Sequence, residues 1–231
     1  MTHWRPFGTG VWVGAYELGG NPINTFVVDV GDRRLAVFSP GPDLDDAVYE
    51  ELDGLGKVVA LVSPGAFHNM GLPWWHERYP EARMFGTESG LEHIAKVHPD
   101  LPALEPLSGL KGLADESLVI YETPGKYSDA LVFVTRGQDV TLFSNEYLVN
   151  WAGLPGNFVF GLLFKWTDSA PGVRLAKPSA WFLRAKLPDV ARFCLEKIEA
   201  HGVTRFVPCH GGGVEGPDTR ERLEQAIRAR L

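Results

Sequence analysis

The sequence predicts an α/β fold of the αββα sandwich type: two facing mixed sheets with helices on both outer surfaces. Three observations carry this. The chain opens with hairpin-like apolar runs, its middle alternates short β-branched runs with amphipathic helices, and a second hairpin precedes a closing helix-strand-helix. No internal repeat, low-complexity tract or linker rich in Pro, Gly or Ser divides the 231 residues, so one domain over 1–231 is expected.

Residues 10–16 are apolar and aromatic, Gly19-Gly20-Asn21-Pro22 breaks the run, and 24–30 and 35–38 flank the turn Gly31-Asp32-Arg33, the pattern of antiparallel strands. After Ser39-Pro40-Gly41-Pro42, residues 43–53 place Leu44, Ala47, Val48 and Leu52 on one helical face, between Asp43 as cap and Gly54 as stop. Residues 57–62 form a β-branched run without polar alternation, as expected of a strand covered on both faces. Helices follow at 72–78 and 88–97, with a strand at 83–85 between them. Strands follow at 118–121, 130–135 and 140–144, the last two joined by Arg136-Gly137-Gln138-Asp139. Residues 151–166 are aromatic and glycine-rich with neither helical nor strand period. They suit a pocket mouth, a contact surface between two copies of the chain, or a buried irregular segment. The end reads as a helix at 188–201 stopped by Gly202, a strand at 205–208, and a helix at 217–231.

Composition excludes several classes. A 45% hydrophobic, 22% charged chain has the means to build a core, which excludes overall disorder. A net charge of -7 without a basic block leaves no surface for nucleic acid. No apolar run reaches the roughly 18–20 residues that cross a bilayer, and the opening lacks a signal-peptide pattern, so a cytoplasmic protein without a membrane partner is expected. Two cysteines, Cys194 and Cys209, with no CxxC spacing, read as separate reduced thiols.

Four strand ends run straight into small-residue loops that carry polar groups: Ser63-Pro64-Gly65-Ala66-Phe67-His68-Asn69, Thr123-Pro124-Gly125-Lys126, Phe143-Ser144-Asn145-Glu146 and Pro208-Cys209-His210-Gly211. Here the chain resembles the metallo-β-lactamase superfamily, over about residues 10 to 216. In that family a strand ends in Thr-His-x-His-x-Asp-His, and Gly, a helix and a Tyr-Pro-x-Ala-like segment follow. This chain has Gly71, the helix with Trp74 and Trp75, and Tyr79-Pro80-Glu81-Ala82 in the same order. The resemblance sets Pro64 and Ala66 at the first two histidines, His68 at the aspartate and Asn69 at the last histidine. A slip of one residue would set His68 at that last histidine instead, and both are second-ion positions. Lys126 replaces the histidine of Thr-Pro-Gly-His, Glu146 stands at the bridging carboxylate, and His210 is retained from the closing Gly-His-Gly.

The resemblance thus implies an empty first-ion site, since Pro64, Ala66 and Lys126 offer no donor. It also implies a second site built from His68, Glu146 and His210, a set acceptable to one Zn or Fe ion. Two readings follow. In the first, the chain is a hydrolase-like protein acting on an ester, amide or phosphoester, with Lys126 and His210 in catalytic roles and Lys126 steadying negative charge. In the second it is metal-free and catalytically silent, using the cleft or the aromatic stretch to bind a small anionic or apolar ligand or a protein partner. A Cys209–His210 nucleophile pair is disfavoured because adjacent residues on an extended chain point to opposite sides. One of Trp74 and Trp75 is expected to pack inward while the other borders the His68 loop. His3, His76, His93, His98 and His201 have no spacing that ties them to a site. Lys165, Arg174, Lys177 and Arg184 read as scattered surface charge.

Overall fold

The computed structural model describes residues 2–156 and 158–231. The first sheet has seven strands in sequence order. These are β1 (Arg5–Pro6), β2 (Val11–Leu18), β3 (Asn21–Asp29), β4 (Arg34–Phe38), β5 (Lys57–Ser63), β6 (Arg83–Gly86) and β7 (Glu105–Pro106). The β1 to β4 pairs are antiparallel. From β4 to β7 the pairs are parallel, because helices α1 (Asp46–Leu55), α2 (Leu72–Arg78) and α3 (Leu91–Val97) supply the crossovers. The second sheet contains β8 (Leu118–Glu122), β9 (Ala130–Arg136) and β10 (Asp139–Ser144). The chain then adds a small pair, β11 (Leu148–Trp151) and β12 (Gly172–Leu175), with α4 (Phe158–Trp166) between them. It closes with α5 (Lys177–Phe182), α6 (Leu187–His201), β13 (Arg205–Pro208), β14 (Val214–Glu215) and α7 (Thr219–Arg228). The five-stranded order is β14-β13-β10-β9-β8, with β10 and β13 parallel across the α6 crossover.

Strand alternation distributes three apolar layers, as the sandwich requires. Phe26, Phe38, Val62, Val132, Phe143 and Val207 meet between the sheets, where the rings of Phe26 and Phe143 stack at 5.0 Å. Their neighbours Val27, Val37 and Leu61 turn to the opposite face, under Leu52, Trp75 and Ile94 of the first three helices. Leu142 and Phe206 likewise turn outward, under Val190, Ile198 and Leu223. Helices therefore cover both outer faces, as the sequence predicts.

Three local expectations change. Helix α1 begins at Asp46, three residues later than expected, because Asp43 takes a left-handed φ of +50° and cannot lie in a helical turn. The expected 88–97 helix divides into a 3-10 turn at Glu88–Gly90 and α3. The unplaced 151–166 stretch contains the end of β11 and the helix α4. Of the two tryptophans of α2, Trp75 is buried, its indole N–H donating to Gly41 O at 2.8 Å, while Trp74 is exposed.

Candidate metal centre in an apolar cavity

The loops after β4, β5, β10 and β13 meet at one end of the sandwich, beside the start of β3, and bring Ser39, His68, Glu146 and His210 there. Asn24 of β3 anchors the loop after β13: its N–H donates to Cys209 O, and its amide donates to Pro208 O and Gly211 O, both at 2.7 Å. Gly211 has a φ of +104°, and a Cβ there would lie 2.0 Å from Asn150 O. Only glycine allows that approach, which fixes the direction of His210 just before it. Ser63 Oγ donates to Gly65 O and His68 O, closing the loop that presents His68. Glu146 is clamped from two sides: its N–H donates to Asp129 Oδ2 at 2.8 Å, and its carbonyl accepts from Ser179 Oγ at 2.7 Å.

These constraints bring His68, Glu146 and His210 together. His68 Nε2 lies 2.9 Å from Glu146 Oε1, and His210 Nε2 lies 3.5 Å from Glu146 Oε2. The two imidazoles meet edge to face at 5.0 Å, and His210 also faces Trp151 at 5.7 Å. Burial pushes the Glu146 carboxyl up, but the hydrogen bonds from His210 and His68 outweigh it and hold the group below the ordinary carboxylate range. Glu146 is therefore an anion at neutral pH.

The centre lines a cavity of ≈ 400 Å³. Its wall is mostly apolar, including Tyr16, Phe67, Val149, Trp151, Phe160 and Phe182. Burial, with a smaller push from Cys209, raises the Tyr16 phenol well above its usual value, so its O–H stays a donor.

Behind His68, Ser39 Oγ lies 3.0 Å and Cys209 Sγ 3.3 Å from Nδ1. Ser39 holds a left-handed φ of +53°, pinned by its own N–H to Val62 O and by Thr25 Oγ1 to its carbonyl. Such a conformation costs a non-glycine residue about 1–2 kcal/mol and persists only where surroundings enforce it. Here it aims the hydroxyl at the imidazole. The sequence signals neither residue: Ser39 reads as a loop opener, and alternation turns Cys209 away from His210. The structure nevertheless brings both to His68: the donor atoms of His68, Cys209 and His210 all lie within 4.8 Å of one another. Asp129 is also missed, a fully buried acid whose Oδ2 accepts the Glu146 and Tyr147 N–H groups.

Lys126 is not brought to the centre. Its side chain is exposed, with Nζ 5.6 Å from the ring of Tyr127, and it is not part of the cavity wall. The nearest link is indirect, since Tyr127 packs at 5.8 Å against Phe67. The other two first-ion positions, Pro64 and Ala66, are buried backbone-shaping residues. Asn69 is committed elsewhere: its amide donates to Ala66 O, and its Oδ1 meets His98 Nε2 at 2.8 Å. His98 thus braces the loop, and His201 packs on Phe133 at 4.3 Å.

The described residues include a group that could hold a metal ion. His68 and His210 each lie beside the Glu146 carboxylate, at 2.9 Å from Oε1 and 3.5 Å from Oε2. His68, Cys209 and His210 also offer donor atoms within 4.8 Å of one another. Cys209 is fully buried, burial raises its thiol well above the usual value, and its Sγ lies 3.3 Å from His68 Nδ1.

No protein-family model and no curated protein matches the chain by sequence. Solved structures do. TMB-1 is similar with a TM-score of 0.62 at 15% identity, over 98% of this chain and 96% of that one. DIM-1 metallo-β-lactamase matches at 0.61 and 12%, over 99% and 97%. The metallo-β-lactamase FIM-1 from Pseudomonas aeruginosa, in its mono-zinc form, matches at 0.61 and 14%, over 98% and 94%. Likeness over the whole length, with the facing sheets and outer helices described above, establishes the architecture: this chain has the metallo-β-lactamase fold.

Proposed function

We propose that the chain is a hydrolase-type protein that takes one Zn or Fe ion on His68 Nε2, the Glu146 carboxylate and His210 Nε2, and acts on an ester, amide or phosphoester with an apolar body. The observation that carries this is the convergence of two imidazoles on one partly buried carboxylate in the wall of an apolar cavity. The mono-zinc form of FIM-1 is a fold relative described with one ion.

When bound, the ion would polarise the scissile group and lower the pKa of a water. The chain's own residues do the rest. With no ion, His68 donates Nε2–H to Glu146 and accepts the Ser39 hydroxyl at Nδ1. To act as a ligand it shifts the proton to Nδ1, which then donates to Ser39 Oγ. A hydroxyl serves either role, so the tautomer changes without leaving a buried group unpaired. The apolar wall excludes water and orients the apolar body of a substrate. Tyr16 supplies the O–H donor for developing oxygen charge, the role the sequence reading gives to Lys126.

The apolar lining and the missing first-ion donors favour a second reading, a metal-free binder of an apolar ligand in the same cavity. Elemental analysis of protein purified without chelator separates the two. About one equivalent of Zn or Fe is expected, lost together in His68→Ala and His210→Ala. No ion above background after incubation with either metal leaves the second reading. Against a p-nitrophenyl alkanoate, Tyr16→Phe is expected to lower kcat by roughly 10–100-fold and Lys126→Ala to change it less than about twofold. A large loss in Lys126→Ala would return the charge-steadying role to the lysine.

A further inference from the structure

The nine residues of α4, Phe158-Val159-Phe160-Gly161-Leu162-Leu163-Phe164-Lys165-Trp166, are apolar on both faces. Phe160 and Phe164 face inward and line the cavity. Phe158, Leu162 and Trp166 follow one another at i, i+4 and i+8, so they form a single outward stripe. Phe158 is 79% and Trp166 80% exposed. Helix α5 packs beside it through the stacked rings of Phe160 and Phe182 at 6.2 Å and adds exposed Trp181. Soluble surfaces rarely leave such a contiguous aromatic patch uncovered.

The charges carried by this stretch of the chain favour an anionic surface as what covers the patch. From 151 to 187 the chain carries Lys165, Arg174, Lys177, Arg184 and Lys186 against one acid, Asp168, although the whole protein has 22 basic and 29 acidic residues. Arg174 is paired with Asp168 at 3.5 Å. Lys165, Lys177, Arg184 and Lys186 are exposed, with no ion pair to a carboxylate among the described residues. Lys177 Nζ lies 5.6 Å over the ring of Trp181, placing its charge at the edge of the aromatic patch. A second copy of the chain, docking through the same face, would bring these cations against one another. An anionic bilayer would accept both the aromatic side chains and the cations around them. No helix of the described residues is long and apolar enough to cross a membrane, so the fitting geometry is α4 lying in the interface.

We propose that the α4–α5 face docks the protein on an anionic lipid surface, with Phe158, Leu162 and Trp166 inserted and Lys165 and Lys177 among the headgroups. The inner side of α4 lines the cavity, so docking would set the cavity mouth against lipid and give apolar molecules a route that avoids water. This surface is independent of whether the centre holds an ion. It replaces the sequence-based expectation of no membrane partner, which rests on the absence of a spanning segment and does not bear on interfacial binding.

Co-sedimentation of the full chain with vesicles of phosphatidylcholine containing about 30% phosphatidylglycerol tests it. Pelleting is expected with a blue shift of tryptophan emission. It should weaken by at least about tenfold in phosphatidylcholine alone, in high salt, in a Phe158→Ser/Trp166→Ser double variant and in a Lys165→Glu/Lys177→Glu variant. The substituted side chains are exposed, so unchanged urea midpoints will show that the variants fold. Absence of pelleting by the folded wild type, or equal pelleting by the Phe158→Ser/Trp166→Ser variant, overturns the proposal. So does a dimer that the double variant dissociates, accompanied by no vesicle binding, which would assign the stripe to a second copy.

Discussion

Glu146→Gln is expected to abolish stoichiometric ion binding while leaving the fold intact. The carboxylate is the anionic donor that this reading gives the centre, and it lies between two imidazoles at 2.9 and 3.5 Å. Gln presents a carbonyl of nearly the same shape without the charge, so the affinity for Zn should fall by at least about 100-fold, more than loss of a supporting partner costs. The backbone N–H of residue 146 still donates to Asp129, so the loop keeps its path. Isothermal titration with Zn, beside a urea unfolding curve for each protein, checks both halves. A variant that folds and binds the ion as the wild type does would remove Glu146 from the centre. If the cavity serves a metal-free binder instead, the same substitution would leave binding of an apolar probe nearly unchanged, since the lining is otherwise untouched.

The second large effect lies beneath that loop. Asp129 accepts the N–H groups of Glu146 and Tyr147 and is sealed from solvent. Asp129→Ala would leave both donors buried without an acceptor, a loss of roughly 2–5 kcal/mol by urea unfolding. Asp129→Asn keeps an acceptor oxygen and removes the titration, which gives a pH signature. Burial, reinforced by the neighbouring Glu146 charge, pushes the Asp129 carboxyl up to about 8 from an ordinary 3.8. The folded protein thus binds this proton more tightly than the unfolded chain does. Its stabilisation is complete below the unfolded value and is lost as pH rises through the folded value. In chelator, wild-type stability should therefore decline between about pH 4 and 8 relative to Asp129→Asn. Parallel profiles for the two proteins would show that Asp129 titrates normally.

Residue pattern alone displays most of the architecture here, because the layers rest on alternation. Phe26 and Val28 against Val27, or Phe143 against Leu142, sort themselves between inner and outer faces by a period of two. Helix α4 escapes the same logic for a physical reason: a cavity lies on one side of it and an uncovered aromatic stripe on the other, so no polar face exists to mark its turn. The strands β11 and β12 are four residues each, too short for a period to show. In the centre, the resemblance picks out His68, Glu146 and His210, and the geometry joins them. Ser39, Cys209 and Asp129 act only through contacts between distant loops, which no spacing along the chain encodes. Lys126 shows the converse limit: it occupies a ligand's place in the motif, but its long side chain reaches solvent and rests on Tyr127.

Anomalous diffraction from crystals soaked in Zn, collected on both sides of the absorption edge, bears most directly on the centre. One peak is expected, bounded by His68 Nε2, the Glu146 carboxylate and His210 Nε2, with none beside Pro64, Ala66 and Lys126. A protein that leaves that site without a peak under saturating Zn, or that gathers the ion elsewhere, contradicts the assignment.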